Sequence, residues 1–235
     1  MLEVKGIHKS YGKKEVLKNI KLRVEKGEIV CLLGKNGAGK TSLLNIISGV
    51  NMSDKGEVLI NGYNIVTDSK KAKIHLGYVP DGIDIDNYLT GAEFLEFITD
   101  IYKIDNSSKI IKRYIELFEM EEHLNKLISK YSAGTERKIK IISCLIHNPD
   151  VIIMDEPTNG LDIDTRQSLL KEIKNLSKSK AILISTHDES IVEGLCHKVA
   201  IIREGEIREF DTIVGIKKKY AKNNIAEVFR EVHRL

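Results

Sequence analysis

The chain has 235 residues, 42% of them hydrophobic and 30% charged, with a net charge of +3 at neutral pH. That length fits one large domain, or one domain carrying a sizeable insertion, with an ordinary globular composition. No apolar run approaches the ~18–20 residues that cross a bilayer, Met1 to Gly6 carry no secretory pattern, and the charge is too mild to argue for nucleic acid. A soluble cytoplasmic protein is therefore expected. Cys31, Cys144 and Cys196 are odd in number, far apart in sequence and set in apolar surroundings. With no metal-binding spacing, they are expected to be buried thiols in a reducing compartment.

In chain order, Leu2 to Ile7 and Val16 to Val24 alternate as strands do. Tyr11-Gly12 ends the first strand region with an aromatic that is either a packing residue or a face on which a purine stacks. Lys26-Gly27-Glu28 turns the chain into the apolar run Ile29-Val30-Cys31-Leu32-Leu33. There follows Gly34-Lys35-Asn36-Gly37-Ala38-Gly39-Lys40-Thr41, and then the apolar-faced helix opening with Ser42-Leu43-Leu44. Strand, glycine loop and helix in that order make a phosphate cradle. The glycines let successive N–H groups turn inward, and the helix N-terminus adds partial positive charge. Lys40 reaches the β- and γ-phosphates and the Thr41 hydroxyl holds Mg²⁺. The full spacing with both flanking elements specifies a nucleoside triphosphate site.

Gly56 to Tyr63 reads as a hairpin with an Asn61-Gly62 turn. After Leu76 to Asp81 the pattern turns helical, through Glu93–Ile98, Ile110–Phe118 and Lys138–Ile146. Residues 82–135 are expected to be a helical insertion in an α/β core spanning 1–81 and 136–210. Val151-Ile152-Ile153-Met154 then ends in Asp155-Glu156, a buried parallel strand with two carboxylates at its carboxyl end, the edge where open α/β sheets bind ligands. Asp155 suits a magnesium ligand, and Glu156 suits a group that poises water. Ala181 to Thr186 repeats the strand pattern and delivers His187 to the same edge. Residues 211–235 are expected to form a helical tail, with Ile225, Val228, Phe229 and Val232 on one stripe and Lys217-Lys218-Lys219 either on a solvated face, the favoured reading, or against anionic lipid headgroups. The fold class is α/β: a P-loop NTPase core with a mainly parallel sheet, a small antiparallel β subdomain and an inserted α-helical subdomain.

Taken together, Tyr11, the phosphate loop, Ser132-Ala133-Gly134-Thr135, Ile153 to Pro157, Gly160-Leu161-Asp162 and His187 resemble the nucleotide-binding domain of ABC transporters over residues 1 to about 210. The resemblance implies a single ABC ATPase domain acting as a head-to-tail dimer with a second nucleotide-binding subunit, each ATP lying between one phosphate loop and the partner's signature motif. It makes Tyr11 the adenine-stacking aromatic with Val16 beside it. Asn36, Gly37, Ala38, Gly39 and Lys40 wrap the phosphates, and Thr41 and Ser42 complete the loop. Ser132 and Gly134 are the signature contacts. Asp155 is the magnesium carboxylate, Glu156 the catalytic base or water-positioning residue, Asp162 a residue in the loop touching the other subunit, and His187 the γ-phosphate switch. It further implies a transmembrane permease as partner, a place on the cytoplasmic face of the membrane, and no nucleic acid.

Two positions depart from the family pattern. Tyr131-Ser132-Ala133-Gly134-Thr135 replaces Leu-Ser-Gly-Gly-Gln, and Asp81 replaces a glutamine that senses Mg²⁺, where its carboxylate could still ligate the cation. Both bear on the hydrolysis rate more than on ATP binding, and the looseness resembles bacterial export-type subunits with separate permeases. Two other readings stay open: a slow-turnover nucleotide-dependent immunity or binding module, and a non-transport ABC ATPase acting on nucleic acid or ribosomes.

Overall fold

The structure, a computed structural model, describes residues 1–82, 88–104 and 107–234. Residues 83–87 and 105–106 of the expected insertion, and residue 235 of the tail, lie outside the described residues. Two sheets organise the chain. In the first, β2 (Lys14–Val24), β1 (Leu2–Tyr11), β4 (Lys55–Ile60) and β5 (Tyr63–Asn64) lie side by side in that order and antiparallel. Asn61 (φ 50°) and Gly62 (φ 85°) make the two-residue turn from β4 to β5. Left-handed geometry at both positions matches the twist of a hairpin, and asparagine and glycine tolerate it best.

The second sheet runs β10 (Glu206–Thr212), β9 (Lys198–Arg203), β3 (Ile29–Leu33), β8 (Ala181–Thr186), β7 (Val151–Asp155), β6 (Leu76–Val79). From β9 to β6 the strands are parallel, and β10 closes one edge antiparallel to β9. Every residue of β3, β7 and β8 is buried, as expected for parallel strands covered on both faces. Successive side chains divide between the two faces. Val151 and Ile153 join Val30, Leu32 and Leu183 against the antiparallel sheet and α1 (Lys40–Ile47). Ile152 and Met154 join Cys31, Leu33, Ile182 and Ile184 in the core under the remaining helices.

Those helices are α5 (Ala133–Leu145), α6 (Ile163–Leu176), α7 (Glu189–Leu195), α8 (Ile213–Tyr220) and α9 (Ile225–Val232), while α2 (Ser69–Ile74) leads into β6. Between β6 and α5 the chain forms α3 (Gly91–Tyr102) and α4 (Ser107–Phe118). Thr90 starts α3 with a capping box: its hydroxyl accepts from the Glu93 amide, and the Glu93 carboxylate accepts from the Thr90 amide. Buried Glu172 of α6 receives Arg113 of α4 at 2.6 Å and the Tyr114 hydroxyl at 3.3 Å. The tail docks on the stripe read from the sequence, with Ile225, Val228 and Val232 buried and Phe229 packed beside them. Lys217 and Lys219 are engaged by Glu193 and Glu209, each at 2.7 Å.

One expectation fails. Cys31 and Cys196 are joined in a disulfide, with Cα atoms 6.1 Å apart across 165 residues of sequence. Cys196 ends α7 immediately before β9, and β9 pairs with β3, so the crossover brings two linearly distant residues together. Cys144 remains a buried free thiol, its pKa pushed up by burial.

Candidate nucleotide site

The carboxyl edge of the parallel sheet opens into a cavity of about 440 Å³ lined by the phosphate loop, Val16, Asp81, Asp155 and Glu156. Its floor is set by the loop that leaves β3. Gly39, the residue before α1, has φ 109°, and a Cβ there would stand 2.8 Å from Leu17 Cδ2. Only glycine meets both conditions. No acidic residue occupies the first turn of α1, so its free amides and partial positive charge are left for an anion. Lys40, the first helical residue, is 7% exposed. Its ammonium donates to the Gly34 carbonyl at 2.7 Å and stands 3.8 Å from Glu156 Oε1.

The strands supply the acids. Asp155 ends β7 nearly buried, and one carboxylate oxygen accepts from the Ser185 hydroxyl of β8. The other, Oδ2, is buried and has no partner among the described residues. An orphaned carboxylate oxygen in a cavity that exposed Thr41 also lines fits a hard divalent cation. Glu156 follows with φ 46°, an uncommon left-handed conformation for a side chain of this size. Its amide donates to the Ser185 carbonyl and shares the Ser185 hydroxyl, both at 3.1 Å. Its carboxylate, 9% exposed, meets His187 Nδ1 at 2.9 Å, while the histidine side chain is 60% exposed.

Most of the residues picked out in the sequence share one cavity, and the rest lie outside it. Asn36, Gly37, Gly39, Lys40, Thr41, Ser42, Val16, Asp81, Asp155 and Glu156 share the cavity. Ala38 is turned away from it: its amide donates to the Lys35 carbonyl at 3.1 Å, and it lines a neighbouring hollow with Arg203 and His233. Tyr11, nearly half exposed at the end of β1, is not in the lining; its hydroxyl meets Asn51. Ser132 and Gly134 lie apart from the cavity, at the N-terminus of α5. Ser132 accepts from the Thr135 amide at 3.2 Å, and Gly134 lies so near Gly160 that a Cβ would stand 2.6 Å from the Gly160 carbonyl. Asp162 caps α6, accepting from the Thr165 amide at 2.8 Å.

Three contributors were not foreseen. Ser185 bridges the two acids, and only its place two residues before His187 could have signalled it. Tyr78 donates from its hydroxyl to Asn45 Oδ1 at 2.8 Å, and burial, with Asp155 nearby, pushes its pKa far up. Arg137 is buried behind the acids, where burial lowers the pKa of its guanidinium despite the carboxylates of Asp81, Asp155 and Glu156 around it.

A phosphate-loop strand and helix facing two strand-end carboxylates define a P-loop nucleoside triphosphatase. The ABC transporter family model matches residues 17–159, and the chain belongs to that family; it is an ATP-binding cassette ATPase. It is 33% identical over 231 residues, 97% of its own length and 74% of the relative's, to the linearmycin resistance ATP-binding protein LnrL of Bacillus subtilis (strain 168). Among solved structures, an ATP-binding subunit of an ABC transporter superposes with a TM-score of 0.95 at 26% identity, covering 99% of both chains. A dimeric cassette in a post-hydrolysis state, bound to ADP and Pi, superposes with a TM-score of 0.81 at 25% identity, covering 90% of this chain and 98% of that one. Among the described residues, no helix is long and apolar enough to cross a membrane.

Proposed function

We propose that this chain hydrolyses ATP as one of two cassettes closed head to tail, and that the opening and closing of the pair drives a separate membrane permease. The observation that carries this reading is the division of the site. Lys40, Asp155 and Glu156 share one cavity, whereas Ser132 and Gly134 lie apart from it at the N-terminus of α5. A second copy or a related cassette supplies the missing half on each side. The dimeric, ADP-bound relative of the same fold supports that arrangement.

In this reading ATP stacks on Tyr11 beside Val16, with its phosphates along Asn36 to Ser42 and His187 at the γ-phosphate. Thr41 and Asp155, with Asp81 also in the cavity lining, would hold Mg²⁺, which would supply positive charge to the phosphate oxygens. Glu156 takes a proton from water as its oxygen attacks the γ-phosphorus, and the bond to the bridging oxygen breaks so that ADP carries that oxygen away. Lys40 stabilises the charge developing on the phosphoryl oxygens. Loss of the γ-phosphate removes contacts made by both subunits, and the dimer opens.

Export is the favoured direction, because the relative named for linearmycin resistance points to removal of a toxic compound. The cassette then works on the cytoplasmic face of the membrane. Affinity purification of the chain from detergent-solubilised membranes of its own source tests this. A polytopic permease at near-stoichiometric yield is expected; ribosomes or nucleic acid recovered in its place would overturn the transporter reading.

A further inference from the structure

We infer that Arg137 is a positioning residue for hydrolysis, holding the Asp155–Glu156 peptide in the geometry that aims the Glu156 carboxylate. Arg137 lies one turn into α5 and is 6% exposed. Its Nη1 donates to the Pro80 carbonyl at 2.6 Å. Its Nη2 donates to the main-chain carbonyls of both Asp155 and Glu156, and lies 3.5 Å from Asp81 Oδ1. Burying a guanidinium is costly unless its donors are met; here Nη1 and Nη2 find backbone acceptors at the exits of two strands, while Nε is buried without a partner among the described residues.

What these bonds fix matters for chemistry. Glu156 sits in the left-handed region with φ 46°, a conformation that persists only where its surroundings over-determine it. From one side, Ser185 accepts the Glu156 amide. From the other, Arg137 grips the carbonyls before and after the Glu156 nitrogen. The peptide between the two acids is therefore clamped on both edges, and the direction in which the Glu156 side chain leaves the backbone follows from it. A planar fork can span Pro80 and both carbonyls; the point charge of a lysine cannot. The same guanidinium meets Asp81, so that carboxylate serves as a counter-charge to Arg137.

The inference rests on Glu156 as the base, and the test separates the two. ATP turnover is measured on the full chain as R137M, R137K, E156Q and R137M/E156Q. Misplacement of the base by about an ångström predicts a fall in kcat of about 100-fold for R137M, with KM for ATP near that of the parent and partial recovery in R137K. Because Arg137 acts through Glu156, R137M should cause no further loss of phosphate release in the E156Q background. Equal fold-losses in both backgrounds, or a rise in KM matching the fall in kcat, would overturn the positioning role. If R137M does not fold, R137K is compared across the same two backgrounds and read by the same criterion. Parental turnover in E156Q alone would defeat the base assignment, and the inference with it.

Discussion

Glu156 Oε1 meets His187 Nδ1 at 2.9 Å, tying the residue after β7 to the residue after β8. A buried carboxylate thus has a largely exposed partner that can swing toward solvent or toward a phosphate without disturbing the core. Its other cationic neighbour, Lys40, stands at 3.8 Å and is itself held by Gly34. Lys40 and His187 thus both stand within reach of the Glu156 carboxylate.

Replacing Glu156 by Gln keeps the shape and removes the proton acceptor. Steady-state phosphate release should fall by about 100-fold or more, while ATP binding persists. ATP should then hold the variant as a dimer in size-exclusion chromatography, a species the parent populates only transiently.

Lys40→Ala removes the charge from the phosphate loop. Because that ammonium is buried in the phosphate loop and, in the proposed reading, meets the β- and γ-phosphates, the loss should appear in binding itself. Equilibrium titration with a fluorescent ATP analogue should show weakening by at least about tenfold, the scale of one charge-assisted contact.

Loss of the imidazole in His187→Ala should lower kcat by about 10- to 100-fold, the scale of one transition-state contact. Its exposed position means that stability should be unchanged. Parallel turnover and thermal melts check both statements together.

Arg113 and Glu172 join α4 to α6 through a contact with one buried end. Arg113→Ala leaves the Glu172 carboxylate buried with only the Tyr114 hydroxyl, so unfolding in urea should show a loss of about 2 kcal/mol. The double change R113M/E172M, which strands no charge, should lose less than R113A alone.

Asp188 gives a pH dependence with a definite sign. Burial opposes its ionisation, but hydrogen bonds from Ser190 and Arg166 outweigh that and hold its pKa below the ordinary value. A depressed carboxyl pKa stabilises the fold fully above the unfolded value of about 3.9, and that contribution is lost as pH falls through the folded value. Urea midpoints of the parent and D188N should therefore differ at neutral pH and converge below about pH 4.

The strands and the phosphate loop were legible because their signals are local. Four consecutive apolar residues before Asp155, a glycine spacing before Lys40 and an Asn-Gly turn each declare themselves within a few positions. Contacts made by the crossovers did not. Nothing in the sequence marks Cys31 and Cys196 as neighbours, since their proximity follows from β9 pairing with β3. Arg137, between Glu136 and Lys138, reads in the sequence only as part of the stretch that follows the signature residues. Its role emerges only because α5 lies behind the ends of β6 and β7, where unpaired carbonyls collect. Ser185 was hidden for the same reason, as a small polar residue beside Thr186 at the end of a strand that starts aliphatic.

Ser132 and Arg137 stand on a single rod of 13 residues, the first just before its tip and the second one turn along. A short helix does not bend between adjacent turns, so any tilt imposed at the tip arrives at the inner residue undiminished. In the proposed pair, the tip rests on the neighbour's nucleotide while the inner arginine grips its own chain's acids. There, a tilt at one chamber would thus reach the peptide that carries Glu156 in the other.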